Sequence, residues 1–271
     1  MNNIHRALLK PFDILFNHKI KNYCLGPNAI EIIGSRGVGK STIYALVAER
    51  AKKDGKKVYC QYPYKDCFQI PVIEVDQGRY VIKSRRKLPN GKFFEEKEWL
   101  PHIVYQIDKD WLYSTDFTDA VILLDEARTI YPARQFQNWT ISDDEFFNFL
   151  RHLNVTVYLS SQEYAALDVN VHRAVDEVWF LWKRTKNSPF THVECYSSMT
   201  VPCRNLQKAV QLSWLKGEMN PLDWEICYTL DKKFLFYRPP YYDLFDTNFY
   251  YGNLKPADVE LWNNLIDTVK E

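Results

Sequence analysis

Gly34-Ser35-Arg36-Gly37-Val38-Gly39-Lys40-Ser41 fits the pattern G-x-x-x-x-G-K-[ST] without a gap. Before it, Ala29–Ile33 is an apolar run rich in β-branched residues, as expected of a strand buried on both faces. After it, Ile43, Leu46 and Val47 recur at helical spacing through residues 42–53, and Asp54-Gly55 stops the helix. Lys57–Tyr62 is the next strand, which completes a βαβ unit on a parallel sheet. In this context the small loop residues let backbone N–H groups wrap a phosphate. Lys40 can reach the β- and γ-phosphates, the Ser41 hydroxyl can ligate Mg²⁺, and the helix points its positive end at the anion. The expected nucleotide-binding residues are Gly34, Ser35, Arg36, Gly37, Val38, Gly39, Lys40, Ser41 and Thr42. No N-K-x-D element for guanine is present, so ATP with Mg²⁺ is the expected ligand.

A second string complements the loop about 85 residues later. Val121-Ile122-Leu123-Leu124-Asp125-Glu126 reads as a buried strand with two carboxylates at its tip. Asp125 is the expected second Mg²⁺ residue beside Ser41, and Glu126 the expected general base for an attacking water. Two carboxylates here favour hydrolysis over phosphate transfer to a small substrate. Val155–Leu159 is a third strand, ending in Ser160-Ser161-Gln162. Gln162 sits where a γ-phosphate sensor stands in motor ATPases of this layout; an ordinary loop glutamine is the alternative.

The rest of the chain bounds the reading. At 271 residues with net charge +1, the chain suits one sizeable α/β domain, and any nucleic-acid contact must use local patches. Six cysteines without C-x-x-C spacing argue against a zinc site. The N-terminus carries no secretory signal, so a reducing compartment is expected, cytoplasmic in a host cell, with membrane-peripheral or virion-associated placement as variants. No run approaches the ~18 apolar residues that span a bilayer.

Residues 1–28 read as a helical extension, with Pro11 interrupting or kinking it. It is either docked on the core or an amphipathic anchor for a membrane or a partner; Asp13 and Asn17 break any clean apolar face. The core ATPase domain is expected over 29–185. A β-hairpin insertion at about 66–118 contains strands at Val72–Val75, Arg79–Ser84 and Lys92–Glu95 and a Pro89-Asn90-Gly91 turn. Its Lys83-Ser84-Arg85-Arg86-Lys87 run is either a DNA contact or a solvated edge strand. Ser142–His152 reads as a helix capped by Ser142 with Glu145 at the box position. Residues 186–271 form an expected β-rich extension with strands near Thr191–Ser197 and Phe234–Arg238 and a closing helix at Pro256–Val269.

The order Asp125-Glu126-Ala127, Pro132-Ala133-Arg134, Leu150-Arg151-His152-Leu153, strand, Ser161-Gln162 resembles the zonula occludens toxin family, which includes the assembly ATPases of filamentous phages. Tyr242-Asp243-Leu244-Phe245-Asp246-Thr247 resembles the Y-D-x-[YF]-D-T stretch near the end of such domains. The family sits within the FtsK/HerA class of DNA-translocating and packaging ATPases. The arginine within the loop, Arg36, also resembles the loop of large terminase subunits. These resemblances imply an α/β P-loop NTPase of RecA/FtsK type, with a mostly parallel sheet flanked by helices. They also imply a homo-oligomeric ring that moves viral or mobile-element DNA alongside coat or assembly proteins. In such rings an arginine from the next subunit completes the site. Arg128, Arg134 and Arg151 are candidates, and Arg134 and Arg151 match the family pattern best. The competing reading is an ATP-dependent scaffold or switch for membrane-associated assembly that moves no DNA; a small-molecule kinase is disfavoured.

Overall fold

The computed structural model describes residues 3–26, 28–61, 64–76, 78–88, 91–101, 103–133, 139–202 and 224–245. In chain order the elements are α1 (Asn3–Tyr23), β1 (Ala29–Ile33), α2 (Lys40–Lys53), β2 (Lys57–Cys60), β3 (Phe68–Gln69), β4 (Val72–Asp76), β5 (Arg79–Lys87), β6 (Phe93–Leu100) and β7 (Ile103–Ile107). There follow α3 (Lys109–Ser114), β8 (Ala120–Leu124), α4 (Ile141–Phe149), β9 (Thr156–Ser161), α5 (Val169–Ala174), β10 (Glu177–Trp182), β11 (Phe190–Pro202) and β12 (Trp224–Tyr237).

Eight strands form one sheet in the order β12-β11-β10-β1-β9-β8-β2-β3. The pairs from β10 through β3 are parallel, and β11 and β12 add antiparallel. This is the expected α/β P-loop NTPase fold with a mostly parallel sheet. Every residue of β1, β8 and β9 is buried, which accounts for the unbroken apolar run of β8 and the mostly apolar character of the other two. Alternate residues feed two cores. Ile30 and Ile32 face α1 and α2 with Leu46, Tyr158 and Trp179. Ala29 and Ile33 face the other way, with Leu124, Phe147, Leu150 and Val171. Glu31, between them, is fully buried and holds His172 of α5 at 2.7 Å.

Between β3 and α3 the chain leaves the sheet. β4 pairs antiparallel with β7, and β5 with β6, so residues 72–107 make a nested two-stranded ribbon. β6 begins and ends later than the strand expected at Lys92–Glu95. Of the expected turn, Pro89 and Asn90 lie outside the described residues, while Gly91 has φ +78° and Leu88 N–H bonds the Lys92 carbonyl at 2.7 Å.

Three local expectations are corrected. Of the interruption or kink expected at Pro11, the interruption does not occur, since α1 runs through it. The cap of α4 is Thr140 with Asp143, not Ser142 with Glu145: Thr140 Oγ1 accepts from Asp143 N–H, and Asp143 Oδ2 accepts from Thr140 N–H at 2.8 Å. The strands near 191 and 234 are longer than read and join the main sheet, so the expected division at residue 185 falls between two paired strands. The helix expected at Pro256–Val269 lies outside the described residues.

α1 docks through polar residues as well as through the fully buried Ile20. Asn17 is fully buried and exchanges two 2.8 Å hydrogen bonds with the backbone of Tyr237. Asp13 accepts from Tyr241 Oη at 2.8 Å, and Phe16 packs against Phe190. Leu8, Phe12, Ile14 and Leu15 are left exposed. The polar residues that break the apolar face are therefore turned inward with Phe16 and Ile20, because they satisfy the end of β12 and the turn after it.

Candidate nucleotide site

The C-terminal tips of β1, β8 and β9 meet at one edge of the sheet, where open α/β sheets bind ligands. β9 lies between β1, which leads into the loop, and β8, which carries the acids. Register then sets the neighbours. Leu124 pairs with Leu159, so Asp125 falls opposite Ser160; Ile33 pairs with Ser161, so Gly34 falls opposite Gln162.

The loop is held in shape by steric fit. A Cβ on Gly34 would stand 2.8 Å from Val38 Cγ1 and 3.0 Å from the Leu181 carbonyl. Gly39 has φ +115°, a conformation that glycine adopts at little cost. Thr191 Oγ1 donates to the Val38 carbonyl at 2.5 Å, Thr42 Oγ1 to the Gly39 carbonyl at 2.7 Å, and Lys183 Nζ to the Gly37 carbonyl. Tyr64 Oη donates to the Ser41 carbonyl at 3.2 Å. Lys40 begins α2 and is largely buried, its ammonium donating to the Gly34 carbonyl at 2.7 Å. Burial lowers its pKa, and the charges of Asp125 and Glu126 oppose that.

Asp125 accepts from Ser160 Oγ and, at 3.0 Å, from Glu126 N–H. Burial raises its carboxyl above the usual range; the Ser160 hydrogen bond pulls the other way, Glu126 adds to the rise and Lys40 offsets it. Glu126 has φ +47° and ψ +48°, left-handed for a non-glycine residue. Gln162 Nε2 donates to Glu126 Oε1 at 2.6 Å, and Arg36 Nε donates to Gln162 Oε1 at 3.2 Å. Arg128 Nε stands 3.2 Å from Glu126 Oε2, an ion-pair distance without hydrogen-bond alignment.

An open cleft of about 310 Å³ has Arg36, Lys40, Ser41 and Thr42 on one wall and Asp125 and Glu126 on another, while Gln162 lines a second cleft of about 720 Å³ with Gly34, Trp182 and Lys183. A third wall, Arg238, Tyr242 and Phe245, escaped the sequence reading as part of the site. So did Ser160, whose only signal was its place opposite Asp125. For Mg²⁺, Ser41 and Asp125 line the same cleft as hard oxygen donors. That set suits an ion that takes one or two carboxylates and completes its shell with phosphate and water.

Of the arginine candidates, Arg134 lies outside the described residues. Arg151 is exposed in the turn before β9, at the opposite edge of the sheet. The length of β9 keeps it about 20 Å from its own subunit's loop, so it can serve a site only across an interface.

The family model described as zonular occludens toxin (Zot) matches residues 81–205, from β5 past the end of β11. That segment includes Asp125, Glu126 and Gln162, and the loop at 34–41 precedes it. Over that segment the chain is similar to the Zot family, as its motif order implied. No curated protein matches the chain. It is similar to the N-terminal domain of zonular occludens toxin from Neisseria meningitidis, at 16% identity over 81% of this chain and 98% of that chain, with a TM-score of 0.45. It is also similar to the genome packaging NTPase B204 from Sulfolobus turreted icosahedral virus 2 in complex with ATP-gammaS, at 14% identity over 63% of this chain and 91% of that one, TM-score 0.40.

Proposed function

We propose that this Zot-like chain is an ATP-hydrolysing motor for viral DNA packaging, translocation or virion assembly, acting as a homo-oligomeric ring in the host cytoplasm or at its membrane. The observation that carries the reading is the Glu126–Gln162–Arg36 chain beside Lys40. It links a candidate base to a polar residue on the neighbouring strand tip and then to the phosphate loop.

In this reading Lys40 leaves the Gly34 carbonyl for the β- and γ-phosphate oxygens. Gln162 and Arg128 hold Glu126, and its Oε2, which has no aligned donor, takes the proton from the attacking water. Ser160 orients Asp125. Mg²⁺, held by Ser41 and Asp125, would supply charge neutralisation at the phosphates. Gln162 ties the state of the γ-phosphate to Glu126, and an arginine from a neighbouring subunit completes the site.

The test is steady-state ATP hydrolysis by wild type and Glu126→Gln, with and without single- and double-stranded DNA. DNA should raise wild-type turnover severalfold. Glu126→Gln should lose about 10²-fold or more while still binding ATP. A second reading, an ATP-dependent assembly scaffold, is favoured by the exposed Leu8, Ile14 and Leu15 of α1. Turnover that ignores both forms of DNA would put that reading first.

A further inference from the structure

The third wall of the cleft belongs to the end of β12 and the 3₁₀ turn that follows it, Pro239–Leu244. Arg238 is largely buried, and its stem presses on the loop: a Cβ on Gly39 would stand 2.6 Å from Arg238 Cδ. Its Nη2 donates to the Ser188 carbonyl, which ties the guanidinium to the start of β11. Its Nε is buried and has no hydrogen-bond partner. An unsatisfied buried donor is costly, and one at the wall of an anion-binding cleft has an evident use. The guanidinium also stands 5.7 Å from the Tyr242 ring centre, and Tyr242 is itself exposed. Phe245 packs on Tyr64, the residue that holds the Ser41 carbonyl.

The direction of a nucleotide in this cleft follows from the other walls. Asp125 and Glu126, the latter held by Gln162, mark the γ-phosphate end. A triphosphate anchored there by Lys40 and running along Ser41 and Thr42 brings its nucleoside end to the wall of the same cleft that these acids leave open. We propose that Arg238, Tyr242 and Phe245 form the nucleoside subsite. In it the Arg238 guanidinium charge lies beside the α-phosphate, and the aromatic rings of Tyr242 and Phe245 take the purine face. This rests on the nucleotide-binding reading of the loop. It gives a physical role to the Tyr242–Phe245 stretch, which the hydrolytic machinery does not use. Recognition by a ring face tolerates any base with a π surface.

The full chain is titrated calorimetrically in Mg²⁺ with ATP and with inorganic triphosphate, as wild type, Tyr242→Ala and Tyr242→Phe. Tyr242→Ala should weaken ATP about tenfold and leave inorganic triphosphate within about twofold. Tyr242→Phe should restore ATP binding, because the ring remains. Equal loss of both ligands, or loss of neither, overturns the subsite. So does a wild type that binds inorganic triphosphate as tightly as ATP, a result that leaves the loop reading intact. A wild type that binds neither ligand refutes the loop reading itself, and the subsite with it.

Discussion

Glu126 occupies a backbone conformation that costs an L-residue roughly 1–2 kcal/mol. It also sits beside Asp125, whose carboxyl it helps to raise. Such strain persists where the surroundings over-determine it, and here the surroundings are the candidate chemistry. Glu126→Gly should therefore stabilise the fold by about 1 kcal/mol while removing hydrolysis, measured by urea denaturation and turnover on the same sample. A destabilised glycine variant would mean that the Gln162 and Arg128 contacts outweigh the backbone strain. Asp125-Glu126 was readable as a pair because both acids follow one apolar run. Ser160 was not readable, since only the pairing of β8 with β9 sets it against Asp125.

At the scale of elements, α4 depends on one side chain. Asp143 closes the capping box, takes the Lys109 ammonium at 3.1 Å and accepts from Tyr113 Oη. Burial alone would raise its carboxyl. The Tyr113 and Thr140 hydrogen bonds and the Lys109 charge prevail and hold it below the ordinary 3.8. A depressed folded pKa stabilises the fold fully at pH well above 3.8, and that contribution is lost as pH falls through the lower folded value. Asp143→Ala should cost about 1–3 kcal/mol at neutral pH, by loss of the cap and of partners for buried donors. The gap from wild type should close in acid. A gap in urea stability that stays constant from neutral pH to below 3.8 would refute the assignment. The helix itself was legible from its periodicity. Its cap was misplaced by two residues because Thr140 and Ser142 carry equivalent signals, and only packing against α3 chooses between them.

On the scale of the molecule, net charge +1 conceals an uneven surface. The ribbon exposes Lys83, Arg85, Arg86 and Lys87, but β6 answers two of them: Lys83 pairs with Glu98 and Arg85 with Glu95, each at 3.4 Å. Arg86 and Lys87 have no ion pair among the described residues. If the ribbon grips phosphate, these two do it. Replacing both by Ser should then abolish DNA stimulation, leave basal turnover unchanged, and lower the salt slope of DNA binding by about two. An unchanged slope would make the ribbon a solvated edge that uses charge against aggregation.

The sequence by itself determined the loop, the strands that carry it and the acids, because phosphate binding of this kind is written in eight consecutive residues and in mostly apolar runs. The order of motifs along the chain was equally plain, and with it the resemblance to the Zot family. Tertiary structure decided what stands between those motifs. Strand order placed β9, and so Gln162, between the loop and Glu126. The antiparallel return of β11 and β12 brought Arg238 and Tyr242 to a loop some 200 residues earlier in the chain. Docking on β12 turned Asp13 and Asn17 inward and left Leu8 and Leu15 outside. Spacing along a chain encodes local geometry, whereas register and strand order depend on which buried surfaces meet, and no short window of residues records that.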